Sequence, residues 1–261
     1  MSEHELSIAI YDAMTDSFPL IERYPIRKGY AQLKPQEALA RILQTHALTR
    51  LSFQSVEVIL VTPAYTFVPL TLFEPVAAAE LLALNHIPSE ADTVSWERME
   101  AQEIVNLFSW PLAWQQVIQA QFPHARIQHY ASVLAKNILP DSIGETRVCV
   151  HVQDFREDII VVVDGKLQLF NSFAFQSPED FLYFILLAYD RLGLNRETVP
   201  LCLLGEIESG SAIYAACNKY IRDVNFLNRK ALSAVPSPEG EADVLPKHFY
   251  FNLLHSSDED Y

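Results

Sequence analysis

The fold is decided by residues 146–221, which read TRVCVHVQDFREDIIVVVDGKLQLFNSFAFQSPEDFLYFILLAYDRLGLNRETVPLCLLGEIESGSAIYAACNKYI. Valines alternate with cysteine, histidine and glutamine near its start, over 148–153, which predicts a strand with two different faces. The unbroken apolar run Ile159–Val163 predicts a second strand that is covered on both faces. Asp164-Gly165 is a strong signal for a tight turn, so we expect a hairpin into a third strand at Leu167–Phe175.

The second part of this stretch predicts a helix, a strand and another helix. Ser177-Pro178-Glu179-Asp180 has the residues of a helix start, with an N-cap, proline at the first helical position and an acid three residues after the cap. An apolar stripe follows and Gly193 ends it. Val199–Leu204 predicts a buried strand, and 213–221 predicts a second helix. Three antiparallel strands, a helix, a parallel strand and a helix is the order of the ribonuclease-H-like sheet.

The first half of the chain shows the same order of elements. Leu6–Tyr11 and Phe18–Tyr24 predict a hairpin, and Gly29–Leu33 predicts a third strand. Pro35 then begins a helix, and Val56–Val61 predicts a buried strand. We therefore expect an internal structural duplication without obvious sequence identity.

These patterns predict two tandem domains. The first covers residues 1–140 and carries an insertion near 62–103, after which a strand at Ile104–Phe108 returns to the core. The second covers 146–261, and a short segment rich in turn formers and charge joins the two. In the C-terminal extension of the second domain, apolar and polar residues alternate over Lys247–Leu254, which predicts an additional edge strand.

Composition narrows the class of partner. The chain has 261 residues, with 19 basic against 33 acidic side chains and a net charge of −14. This charge opposes binding to nucleic acid and to anionic lipid surfaces, and we expect neither partner. No signal peptide or membrane-spanning run is present, which predicts a cytoplasmic protein without membrane insertion. The three cysteines are far apart and fall within predicted strands or a helix, which favours buried, inert thiols.

Three short segments carry a resemblance to a known family. Leu169–Phe173, Pro178–Tyr183 and Leu204–Ile207 look like an uncharacterised protein family of Bacteroidetes that is assigned an actin-like fold and has no established function. The resemblance implies an α/β protein of two tandem ribonuclease-H-like (actin-like ATPase) domains with mixed five-stranded sheets. Pilus-assembly M proteins and the cytoplasmic part of type II secretion L proteins are similar in architecture and serve as assembly scaffolds.

The nucleotide site that such a fold implies lacks its usual residues. Actin-like ATPases grip phosphates with hairpin turns in both domains, and these turns carry aspartate and glycine so that backbone N–H groups can approach the oxygens. Here the corresponding turns, 12–17 and 154–158, contain no glycine. Paired glycines normally follow the strand at the adenosine site, whereas this chain has Gly205 followed by Glu206. If a nucleotide binds, the candidate residues are therefore Asp12, Asp154, Gly205 and Glu206.

No other group of residues predicts a catalytic or metal site. His124 and His129 are five residues apart, a spacing that does not place two zinc ligands on one helical face. His46 and His151 are typical of structural histidines that bond within the protein. Asp12 and Asp154 could imitate the carboxylates of a two-metal nuclease, but solvated turn acids are the simpler interpretation.

The leading hypothesis is a catalytically silent actin-like protein, a scaffold or interaction module with a degenerate nucleotide site that acts by binding another protein. We predict no catalytic residues, no metal and no cofactor. The alternative is a divergent ATP-binding actin-like ATPase or kinase-like enzyme that uses ATP and magnesium. A small-molecule sensor that uses a cleft between the two halves is a third hypothesis.

Overall fold

The computed structural model describes residues 1–26, 30, 32–153, 155–228 and 246–254. Their contacts divide the chain into a first unit that begins at Met1 and runs to Val133 and a second that begins at Leu134. The boundary lies within a helix, a few residues before the predicted junction at 140–146. Each unit is described by itself below.

Strands and helices are numbered in chain order. The strands are β1 (Glu5–Asp12), β2 (Ser17–Pro25), β3 (Glu57–Leu60), β4 (Tyr65–Pro69), β5 (Asp92–Met99), β6 (Ile104–Pro111), β7 (Arg126–His129), β8 (Thr146–Gln153), β9 (Arg156–Val163), β10 (Lys166–Ala174), β11 (Leu201–Gly205) and β12 (Val224–Phe226). The helices are α1 (Pro35–Thr45), α2 (Ala78–Ala83), α3 (Leu112–Gln121), α4 (Tyr130–Ile138), α5 (Pro178–Arg191), α6 (Ala212–Tyr220) and α7 (Phe251–Leu254).

The second unit contains the ribonuclease-H-like sheet that the sequence predicts. Its strand order is β10-β9-β8-β11-β12, with antiparallel pairing from β8 to β10 and parallel pairing of β11 with β8 and β12. Asp164 and Gly165 make the β9–β10 turn with φ values of +50° and +72°, a backbone that asparagine, aspartate and glycine tolerate best. The hairpin prediction is confirmed.

Two capped helices cover one face of this sheet. Ser177 accepts the N–H of Asp180 through its hydroxyl at the start of α5, and Gly193 follows the helix with φ +64°. At the start of α6, Ser211 accepts the N–H of Tyr214 in the same way. The buried side chains of α5 and α6 pack on Val148, Val150 and Val152 of β8 and on Ile159 and Val161 of β9 to form one core.

The first unit is built from smaller sheets. β1 and β2 form an antiparallel hairpin, and β3 pairs in parallel with β7. The backbone of Met1 extends beside β3, since Val61 donates its N–H to the Met1 carbonyl at 2.8 Å. The third strand predicted at Gly29–Leu33 is wrong for the residues described there, Tyr30, Gln32 and Leu33, which lie in bends and turns; Gly29 and Ala31 lie outside the described residues. The described strands of this unit therefore form no single five-stranded sheet.

The insertion consists of a three-stranded sheet with α2 packed on one face. β4, β6 and β5 form a three-stranded antiparallel sheet in that order, so the strand predicted to return to the core at Ile104 is instead the centre of the inserted sheet. One face of the sheet presents Asn106 and Phe108 to His129 of β7. The other face presents Val105 and Leu107 to α2. β4 and β5 were not predicted from the sequence, because their residues are only partly buried along most of each strand.

Candidate functional site

Asp12 lies at the end of β1, and its carboxylate stabilises its own turn. Oδ1 accepts the N–H of Met14 and Oδ2 accepts the hydroxyl of Thr15, each at 2.9 Å. These bonds, that from Thr15 first, lower the pKa of the Asp12 carboxyl below its usual value. Asp16 in the same turn accepts the hydroxyl of Tyr11. The carboxylates of Asp12 and Asp16 therefore accept hydrogen bonds from residues of the same hairpin. Met14, at the tip of the turn, is 96% exposed.

The second predicted phosphate turn is shorter than the sequence indicated. β8 ends at Gln153 and β9 begins at Arg156, so the five-residue turn predicted over 154–158 is wrong, and Asp154 lies outside the described residues. Glu157 and Asp158 are strand residues that are 0% and 3% exposed. They therefore do not belong to the predicted turn.

Glu157 occupies the helix-covered core face of the sheet. It stands opposite Val152 on β8, and neither carboxyl oxygen has a hydrogen-bond partner. Burial, followed by the neighbouring charge of Asp158, raises the pKa of Glu157 to about 9. The side chain is therefore protonated at neutral pH, which removes the much larger cost of burying a charge.

The opposite face of the sheet holds a buried polar network. His151 Nδ1 lies 2.9 Å from Asp158 Oδ2, and Ser172 donates its hydroxyl to Asp158 Oδ1 at 2.5 Å. Asn252 of α7 reaches His151 Nε2 at 3.3 Å. The interpretation of His151 as a structural histidine is confirmed by these bonds, and the serine contacts the aspartate rather than the imidazole, so this is not the geometry of a nucleophilic triad.

Gly205 ends β11 with φ +89°, and its position leaves no room for a side chain. A Cβ there would lie 2.2 Å from the carbonyl oxygen of Val152. Its N–H donates to the His248 carbonyl at 2.7 Å, and the N–H of Glu206 donates to the Val152 carbonyl at 2.8 Å. Both backbone donors at the predicted adenosine site therefore have acceptors within the chain.

The acceptor for Gly205 comes from the C-terminal segment 246–254, whose role the sequence did not reveal. The edge strand predicted at Lys247–Leu254 is wrong: residues 247–250 form turns and α7 follows. Phe251 and Leu254 are buried three residues apart, which is helical spacing, while the alternation of aromatic and polar residues resembled a strand. His248 stacks on Phe226 at 4.1 Å between ring centroids, and its Nε2 lies 2.7 Å from the Ile207 carbonyl oxygen.

In the first unit, His129 is the centre of a second buried polar cluster. Its ring nitrogens lie near the Asn106 side chain at 3.2 Å and the Thr62 carbonyl at 3.1 Å. The rings of Tyr65, Phe108 and Tyr130 surround it at 4.7–5.0 Å. This aromatic enclosure joins the inserted sheet to β7, so the cluster has a structural explanation.

A family model described as protein of unknown function (DUF3822) matches residues 1–224. The chain belongs to the DUF3822 family. This confirms the predicted kinship with an uncharacterised family, although 246–254 falls outside the matched region. No curated protein matches the chain.

Solved structures confirm the fold of this DUF3822 member. One is a Bacteroides thetaiotaomicron protein with an actin-like ATPase fold and unknown function, with TM-score 0.79 and 22% identity over 87% of this chain and 88% of that one. Another is the PilM–PilN type IV pilus biogenesis complex, with TM-score 0.52 and 13% identity over 87% and 86% of the two chains. The chain therefore has the actin-like ATPase fold, which consists of two ribonuclease-H-like lobes.

The described residues contain no group of three or more His, Cys, Asp or Glu side chains arranged to hold a metal ion. Within the same residues, no helix has the length and apolar character needed to cross a membrane. All three cysteines are buried and free, as predicted. Burial and the nearby Glu157 raise the pKa of Cys217 to about 12, which opposes formation of a reactive thiolate.

Proposed function

We propose that this protein is a non-catalytic actin-like scaffold that acts by binding another protein. The observation that carries the proposal is that the backbone N–H groups at the end of β11 already donate hydrogen bonds to carbonyl groups of this chain. Gly205 and Glu206 direct their N–H groups to the carbonyls of His248 and Val152, at 2.7 and 2.8 Å. A phosphate or ribose that needed these donors would have to displace the C-terminal segment and one strand-pairing bond.

The first phosphate turn supports the same proposal. The Asp12 carboxylate accepts two hydrogen bonds from its own turn, so binding a magnesium–phosphate complex there would require those bonds to be exchanged. The turn also lacks a glycine that would let backbone approach phosphate oxygens closely. The structural neighbour from the PilM–PilN complex shows that this fold occurs in a protein–protein assembly, which favours a binding role here by fold-level analogy alone.

Isothermal titration of the full chain with ATP and magnesium tests the proposal. We expect no saturable heat at millimolar ATP and no phosphate release in a coupled assay. Micromolar affinity accompanied by turnover would refute it.

The second candidate function is a divergent ATP-dependent enzyme, and the actin-like ATPase fold itself favours it. In that case Asp12→Ala and Asp154→Ala should each abolish nucleotide binding. Binding that persists in both variants would reject these residues as the phosphate grip, whatever the affinity of the unmodified protein.

A further inference from the structure

The outer side of the α2 layer is an exposed apolar surface, which we call the α2 face. α2 packs on the inserted sheet through Ala78 and Leu82, which are 3% and 0% exposed. Its other side presents apolar residues to solvent. The α2 face consists of Val76, Ala79, Ala83, Leu84 and Ile87.

The exposure of this face is far greater than folding requires. Val76, Leu84 and Ile87 are 88%, 79% and 88% exposed, so their apolar area contributes little to stability of the chain itself. Val76 lies in the 3-10 turn Pro75–Ala77 that precedes α2, and Leu84 directly follows the last residue of α2. The exposed alanines at 79 and 83 lie between them in the sequence. Ala79 and Ala83 are exposed and small, so they allow a second helix to approach this surface closely. Clustered apolar exposure of this kind marks interaction sites more often than chance.

The charge around the face selects the chemistry of the partner. The insertion carries seven acidic side chains and one arginine. Among them Glu74, Glu80, Glu90 and Glu103 are exposed, and Glu80 lies on the outer side of α2 itself. Arg98 lies over the Phe73 ring and 4.0 Å from Glu100, and this one positive charge against seven acidic side chains leaves the insertion strongly negative. Glu74, Glu80 and Glu90 are the acidic residues nearest to the face in the sequence, and their charge complements a helix whose apolar stripe is flanked by basic side chains.

We infer that the α2 face binds a basic amphipathic helical segment of a partner protein, with the partner's apolar side chains packed between Val76 and Leu84. This inference rests on the proposed scaffold role and identifies its contact surface. A second copy of this chain is a poor occupant, because a two-fold contact would bring Glu80 of each copy to the same interface between two chains of net charge −14. Anionic lipid is disfavoured by the same charge.

The probe for this inference is a synthetic 18-residue fluorescein-labelled peptide with leucine at positions i, i+3, i+4 and i+7 and lysine elsewhere. Fluorescence anisotropy with the full chain should show saturable binding that weakens at least tenfold between about 50 and 500 mM salt. Val76→Glu combined with Leu84→Glu should weaken binding at least tenfold. The matched control is Leu51→Glu combined with Ile143→Glu, which alters two other exposed aliphatics, 58% and 74% exposed, and adds the same charge.

Circular dichroism should show that both double variants remain folded, since all four side chains are exposed. A sequence-scrambled peptide of the same composition and a peptide with glutamate in place of lysine should bind at least tenfold more weakly. Equal binding by the two double variants, equal binding of the scrambled peptide, or absence of binding would each overturn the inference. Sedimentation that shows self-association abolished by Val76→Glu with Leu84→Glu would also overturn it, in favour of a second copy.

The two experiments distinguish a wrong assignment of the α2 face from a wrong assignment of the scaffold role. If the peptide does not bind and ATP does not bind either, only the assignment of the α2 face is lost. If ATP binds and is hydrolysed, the scaffold role is lost whatever the peptide does.

Discussion

Replacing Gly205 with alanine tests whether this position must be glycine because β11 and β8 approach each other closely here. The added Cβ would lie 2.2 Å from the Val152 carbonyl oxygen and 3.0 Å from the Val152 nitrogen. Both atoms belong to the backbone of β8, which cannot move aside as a flexible side chain can. The clash can therefore be relieved only if β8 and β11 separate at this end.

The expected loss of stability has two parts. A positive φ costs an L-residue about 1–2 kcal/mol, and Gly205 has φ +89°. Separation of the strands also weakens the hydrogen bond from Glu206 N–H to Val152 O, for which about 1 kcal/mol is typical. Together these effects reduce the free energy of unfolding by about 2–3 kcal/mol.

Gly193 provides the matched control for this change. It has φ +64°, and a Cβ there would meet nothing within 4 Å. Gly193→Ala should therefore lose only the conformational part, about 1 kcal/mol. Urea denaturation followed by far-ultraviolet circular dichroism gives both values, with a separate transition fitted for each unit if the two do not unfold together. Equal losses in Gly205→Ala and Gly193→Ala would refute the close-approach argument.

Three further outcomes are expected. Glu157→Met should be more stable than the unmodified chain at pH 8. Burial raises the pKa of the Glu157 carboxyl from 4.5 to about 9. The stability that depends on the protonated carboxyl is therefore complete below pH 4.5 and is lost as the pH rises toward 9. Between pH 5 and 8 the free energy of unfolding of the unmodified chain should fall by up to about 4 kcal/mol, and that of the variant should not. Urea denaturation measures both, and the same pH dependence in the two proteins would contradict this prediction. Ser177→Ala should cost about 1 kcal/mol by removing the α5 cap, whereas Ser177→Gly should cost a few tenths; thermal denaturation that ranks glycine below alanine would reject the cap. Ellman's reagent should label Cys149, Cys202 and Cys217 only after denaturation, and rapid labelling of the native chain would show that at least one thiol is accessible.

The sequence predicted the β9–β10 hairpin and the start of α5 because each carries its own local signal. Asp164-Gly165 tolerates the positive φ that the hairpin needs, and Ser177 supplies the side-chain oxygen that begins α5. These signals depend on neighbours in sequence, so a single chain reveals them. The prediction failed where tertiary contacts decide the conformation, as at Lys247–Leu254, whose strand-like alternation gives way to turns and α7.

The candidate site was predicted only in its outline. The absence of glycine from the turn after Asp12 was visible in the sequence, and so was the single glycine at 205. The partners of these residues were not visible, because His248 lies 43 positions beyond Gly205 and no local pattern joins them. Glu157 falls within the turn predicted over 154–158, but the structure places it in β9 and in the core. Acidic residues are seldom buried, so no local pattern indicated this position.

The docking of α7 has a practical consequence for making this protein. A fragment trimmed to the family-matched region would stop at residue 224, the first residue of β12, and would omit Phe226, His248 and Asn252. The Gly205 amide and the Ile207 carbonyl would lose their bonds to His248, and His151 Nε2 would lose Asn252. Recombinant versions should therefore extend at least through Leu254, and a purification tag is safer at the end of a flexible spacer than fused directly to α7.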